Sequence, residues 1–413
     1  MTLSWCCLLV QVVFAAKLVL AADFHAAVQL NPKDIKIMIE SKNGEIIDCV
    51  DIYKRPSLNN PLLKDSKAQI MRDIANAVAE HEDWEMKTVP VEQEWHKNGK
   101  QCPIGSVPIM RTNPTVFNLS GSFPPLSVAN ISPTNTAGPP SRTEFAVAIA
   151  ANGPYRGAYV LLPVWKAARL HDSESTATFL IVGGTVDTGF RPTPGRLPAD
   201  VTNQIGVGFF ADGGDNNPRL SVFYTPDGGK SQCYNLACGG FIQTNKDIAL
   251  GASIVNGASG VDDHVPYVLV SIEKDAAGPW HVLVNDTDLG YYPRSIFPWL
   301  FPEAVANVVG GAVLNTWPGG KHTDTVMGNG RRPPGDDKTA VVKGYIAINA
   351  AGSQIVDRPT LGVRTAPDCY NFSVLGYNED APGINVAFGG SGGPDCVGLA
   401  NVKVDLSTPN NKA

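Results

Sequence analysis

Charge is scarce in this 413-residue chain: Asp, Glu, Lys and Arg make up only 17% of it, with a net charge of −6. That balance gives no basic surface for nucleic acid or for an anionic membrane. Histidine is scarce too, at seven, and none stands in H-E-x-x-H or a comparable ligand spacing, so the sequence indicates no metal site. Past residue 22 no run is long and apolar enough to span a bilayer. Helical texture is confined to one stretch. Residues 62–84 place Leu63, Ile70, Ile74, Ala77 and Val78 at near-helical spacing between charges, which predicts an amphipathic helix.

What is abundant is glycine (41) and proline (32), the texture of an exported β protein. The start of the chain is apolar from Leu3 to Ala22 except for Gln11 and Lys17. It reads as a secretory signal peptide over 1–22, with an uncleaved anchor as the alternative. Six cysteines follow it: Cys49, Cys102, Cys233, Cys238, Cys369 and Cys396. Six allow fifteen connectivities. Cys233 and Cys238 favour a small-loop disulfide over metal, Cys369 and Cys396 can close the C-terminal segment, and Cys49 and Cys102 share the first zone. Asn-x-Ser/Thr sites at Asn118, Asn130, Asn285 and Asn371 fit a glycosylated protein. The expected destination is outside the cell or in the cell wall, with the vacuole as an alternative.

Composition divides the chain into a pro-region-like zone over 23–112, a Pro/Ser/Asn-rich linker over 113–143 that proteases should reach easily, a β-rich domain over 144–396, and a tail over 397–413. In the β-rich domain short runs recur: FAVAIA, GAYVLLPVW, ATFLIVGG, RLSVFYT, DIALGASIV, PYVLVSIEK, WHVLVN and VVKGYIAI. Turn residues separate them, which predicts an all-β sandwich or barrel.

Two motifs fail on context. Gly206-Val207-Gly208-Phe209-Phe210-Ala211 matches the dinucleotide fingerprint, but ADGGDNNPR follows it. That is a turn, not the helix whose N-terminus would meet a phosphate. GGSGG (389–393) resembles a serine-nucleophile elbow, yet no helix follows Ser391. No cofactor is indicated. Glu174 and Glu273 read as solvated surface, and no local arrangement marks an acid and base pair.

The chain as a whole resembles the plant neprosin-like family of secreted glutamic peptidases with an N-terminal activation peptide. The resemblance runs from Leu30 to Cys396. In the activation peptide GEIIDCVDIYKRP (44–56), NPLLKD (60–65) and QCPIGSVPIMRT (101–112) carry it. In the main domain GPYRGA (153–158), CYNLACGGFIQTNKDIALGASI (233–254), LGYYPRSIF (289–297), KHTDTVMGNG (321–330) and PDCYNF (367–372) do so. It implies an antiparallel, concanavalin-like β-sandwich preceded by a small α+β activation-peptide region. It also implies two cleft glutamates, one activating water and one protonating the leaving group, in cleavage after proline at acid pH.

The family glutamates fall in stretches like I-E-A-G-W and W-G-G-E-V. Here those read Ile205-Gly206-Val207-Gly208-Phe209 and Val309-Gly310-Gly311-Ala312-Val313, so the acid positions carry Gly206 and Ala312. Neither can hold or transfer a proton. The expectation is a catalytically defective peptidase homologue that keeps its own activation peptide as a partner and binds a proline-containing peptide or a cell-wall polymer. The alternatives are an active endopeptidase using substitute acids and a structural or storage protein.

Overall fold

The structure, a computed structural model, describes residues 30–63, 88–111, 142–185, 201–225, 232–259, 264–276, 278–297, 302–378, 381–396 and 403–404. The signal segment, the 62–84 helix beyond its first two residues, nearly all of the linker with Asn118 and Asn130, and most of the tail lie outside the described residues.

Two large sheets dominate. The first has eight strands. In spatial order they are β10 (Cys233–Tyr234), β9 (Arg219–Thr225), β8 (Val201–Asp212), β7 (Ser175–Thr185), β16 (Ala306–Asn315), β4 (Arg142–Ala150), β19 (Leu361–Arg364) and β22 (Lys403–Val404). The second runs β11 (Ile242–Gln243), β15 (Thr287–Tyr292), β14 (Trp280–Val284), β13 (Tyr267–Lys274), β5 (Tyr155–Pro163), β17 (Ala340–Asn349), β21 (Ala381–Gly389) and β20 (Asn371–Asn378). Its ninth strand, β18 (Gln354–Ile355), pairs with β17. β6 (Trp165–Lys166) and β12 (Ala258–Ser259) form a short parallel pair. The N-terminal zone adds a separate antiparallel sheet of β1 (Ile35–Glu40), β2 (Ile46–Asp51) and β3 (Ser106–Met110). Every pairing within the two large sheets is antiparallel.

Alternation along each strand sorts the side chains. Val207 and Phe209 of β8, Leu180 and Val182 of β7, and Val309 and Val313 of β16 join Val160 and Leu162 of β5 in the core between the sheets. The intervening residues Phe210, Phe179, Ile181, Val308 and Ala312 make a second buried cluster on the outer face of the eight-stranded sheet. Burial on both faces explains why these strands read as continuous apolar runs.

Six cysteines pair as Cys49–Cys102, Cys233–Cys238 and Cys369–Cys396, with Cα–Cα separations of 5.4, 5.7 and 5.7 Å. Seven of the eight quoted runs contain strand. DIALGASIV does not: residues 247–255 form a loop with isolated bridges at Leu250, Ser253 and Ile254. Gly251, at φ +83°, breaks the extended path there, and two of the three bridges go to the N-terminal zone.

Candidate functional site

β8 runs into a turn and then antiparallel into β9, with Phe210 opposite Arg219. The glycine pair therefore precedes no helix, and the phosphate-binding mechanism is absent. Both glycines instead answer to packing. A Cβ on Gly206 would overlap Cζ, Cε1 and Cε2 of Phe223, and one on Gly208 would overlap the carbonyl oxygen of Thr178. Phe223 is itself held: its ring lies edge-on to Phe179 (6.5 Å) and Phe210 (5.9 Å) and tilted against Tyr234 (5.7 Å).

Gly206 and Ala312 lie on the outer face of one sheet, with β7 between their strands. Gly206 is level with Ile181 and Val308, whereas Ala312 is level with Ala177 and Phe210. The two positions are thus four residues out of step. Two strand spacings across and four residues along put their Cα atoms on the order of 16 Å apart.

Three acids stand near the Ala312 end of this sheet. Asp212 ends β8 opposite Ser175. Alternation places it on the outer face, two residues beyond Phe210. Burial pushes its carboxyl up, opposed by the Gly214 amide and by Arg219. Asp212 Oδ2 and Ser175 Oγ are both buried without a hydrogen-bond partner.

The other two acids face inward. Glu174, expected at the surface, is 1% exposed. Its Oε1 accepts from the amide and hydroxyl of Thr316 (2.8 and 2.9 Å), and its Oε2 accepts from the hydroxyls of Thr323 (2.7 Å) and Thr325. Four donors from the 316–325 segment explain why a carboxylate can be buried there. Glu144, fully buried, meets His322 Nε2 at 2.7 Å, and His322 Nδ1 meets the Thr323 carbonyl at 2.6 Å. The Glu144 carboxylate and the Thr323 carbonyl can both accept from a doubly protonated ring, while Asn315 Nδ2 lies 3.3 Å from each ring nitrogen. Burial alone would push the imidazole down. The hydrogen bond and charge of Glu144, the Thr323 carbonyl and the charge of Glu174 together raise it above its ordinary value.

Sequence reasoning missed this cluster because its members are up to 178 residues apart. The available signal was a lone acid opening the apolar run EFAVAIA and the paired threonines of HTDT. The geometry is that of a buried ion pair and a saturated carboxylate, neither of which reaches solvent. Among the described residues no group of three His, Cys, Asp or Glu side chains could hold a metal, and no helix is long and apolar enough to cross a membrane.

The described residues thus form a two-sheet antiparallel sandwich with an N-terminal sheet packed against it. Residues 171–391 match the family model described as Neprosin, and residues 38–119 match the Neprosin activation peptide. The chain belongs to the neprosin family. Among solved structures it is similar to scytalido-glutamic peptidase with a peptide-based transition-state analog (10% identity, TM-score 0.32). It is also similar to SCP-B, a member of the eqolisin family of peptidases, in complex with the tripeptide Ala-Ile-His (10% identity, TM-score 0.32). Each match covers 61% of this chain and 100% of the other.

Proposed function

We propose that this is a secreted, glycosylated neprosin-family protein whose catalytic pair is gone, and that it acts by binding a proline-containing peptide or cell-wall polymer rather than by cleaving it. The observation that carries the reading is the side chain of Phe223. Its ring fills the volume a side chain at position 206 would need, which supports a site that holds no acid at that position. Ala312 supports the same reading from β16, because a methyl group cannot move a proton. Glu174 has four donors, and Glu144 is fully buried with Oε2 on His322 and Oε1 unpartnered, so neither meets bulk water. Among the described residues Asp212 is the one acid on the outer face with a buried, unpartnered oxygen. One carboxyl cannot serve as both base and acid in the two-glutamate mechanism.

The test pairs binding with turnover. Calorimetry with a proline-rich peptide and with a cell-wall polysaccharide, at about pH 5, reads the binding, and chromatography of the same mixtures reads cleavage. The expected result is saturable binding of one ligand with no new peptide products. Product formation abolished by Asp212→Asn would replace this reading with an active enzyme using a substitute acid. Neither binding nor cleavage would leave a structural protein.

A further inference from the structure

We propose that the N-terminal zone, described over 30–63 and 88–111, is a permanent subunit of this protein, so that cleavage of the linker yields a two-chain molecule and not a sandwich freed of its pro-region. The inference is independent of whether the sandwich cleaves peptides.

The contact is built as an interior. Val50, Leu58, Leu63, Val107 and Ile109 of the N-terminal zone belong to the same buried cluster as the residues between the two large sheets. Trp95, fully buried, packs with Ala249 and Ala252 of the 247–255 loop. The backbone continues the joint. Gln93 bridges Ile254 and Ile109 bridges Leu250, the Val89 amide donates to the Tyr267 carbonyl (2.9 Å), and the Val255 amide donates to the Glu92 carbonyl (3.0 Å). A surface that was to open in water would leave these amides and carbonyls to be resolvated together with a large apolar area.

Two polar anchors fix the register. Gln93, fully buried, donates to the carbonyls of Ala249 (2.7 Å) and Ala252 (3.3 Å) and accepts from the Ala249 amide (2.8 Å) and the Trp95 indole (2.9 Å). Its amide is fully used. Glu45 reaches into the sandwich, where its carboxylate pairs with Arg219 and accepts from the amide and hydroxyl of Ser253. Arg219 is 3% exposed and also holds Asp215 at 2.7 Å. A desolvated, multiply bonded charge pair of this kind acts mainly on the off-rate. Finally, Cys49–Cys102 ties β2 to the stretch that carries Pro108 and Ile109, so a cut between them does not separate the two halves.

The experiment places a specific protease site in the linker of the otherwise unchanged protein. After complete cutting, non-reducing size exclusion and native mass spectrometry are run at neutral pH and about 0.1 μM protein, a concentration at which only an interface tighter than that survives. The expected result is one peak containing both chains, with Glu45→Gln shortening the residence of the N-terminal chain about tenfold. Separate elution of the N-terminal chain from the unmodified cut protein would overturn the proposal. A Glu45→Gln protein that held its segment as long as the wild type would remove the charge anchor from it and leave the apolar joint as the sole support.

Discussion

Replacing Arg55 with methionine should stabilise this protein. Arg55 is 2% exposed, and none of its three guanidinium nitrogens has a hydrogen-bond partner. It sits in the N-terminal zone just before the 3-10 turn Pro56–Asn59, whose neighbours include Gly239 of the sandwich. Burial pushes its pKa down from 12.5 to about 10, slightly offset by Tyr291. A pKa lowered that far corresponds to about 3 kcal/mol against the charged form.

The sign follows from linkage. The unfolded chain holds the proton to higher pH than the folded one, so the penalty is complete below about pH 10 and is relieved only above it. At neutral pH the whole cost is present. Methionine has nearly the length of the arginine stem and brings no charge, and replacing buried ionic groups by apolar ones of similar volume is neutral or stabilising by 1–4 kcal/mol. Calorimetry of Arg55→Met at pH 7 should show a rise in Tm of about 5 °C, with the N-terminal chain retained longer after linker cleavage. An unchanged or lower Tm would refute the reasoning, because it would mean that the guanidinium is satisfied where it lies.

Further outcomes are expected. His322 has a raised pKa in the fold, so its pairing with Glu144 contributes fully below about pH 6.5 and is lost as pH rises through the folded value. Tm should therefore be higher at about pH 6 than at about pH 8.5, and His322→Gln should cost about 3 kcal/mol at the lower pH and remove most of that slope. His281, raised by Asp288 against its own burial, supplies what remains. Phe223→Ala should destabilise by about 3–5 kcal/mol, measured by denaturant unfolding, because the ring is buried among three others. Glycan mapping should find Asn371 modified and Asn285 bare. The Asn285 amide nitrogen donates to the Val89 carbonyl (2.9 Å), which places it under the docked N-terminal segment.

The strands were legible in the sequence because alternation and turn residues report local geometry. β8, the stretch with the paired glycines, is the clearest case: its following turn excluded a cofactor loop, and the structure closes that turn into a hairpin. DIALGASIV misled because a run of apolar residues looks the same whether it pairs with a strand or receives a docked segment, and the deciding partners, Gln93 and Ile109, lie far away in sequence. The site was only half legible. The absence of acids at Gly206 and Ala312 could be read directly. Their offset of four residues, the occupation of the first position by Phe223 and the burial of Glu174 depend on cross-strand register and on donors from the 316–325 segment, which no local pattern encodes.

The central claim is that the peptidase chemistry has been removed, and turnover tests it most directly. Linker-cut protein would be incubated with a proline-containing peptide from about pH 3 to about pH 7, beside an Asp212→Asn variant that removes the outer-face acid with an unpartnered oxygen. The account predicts no cleavage by the unmodified protein at any pH. Proline-directed cleavage by that unmodified protein would contradict it.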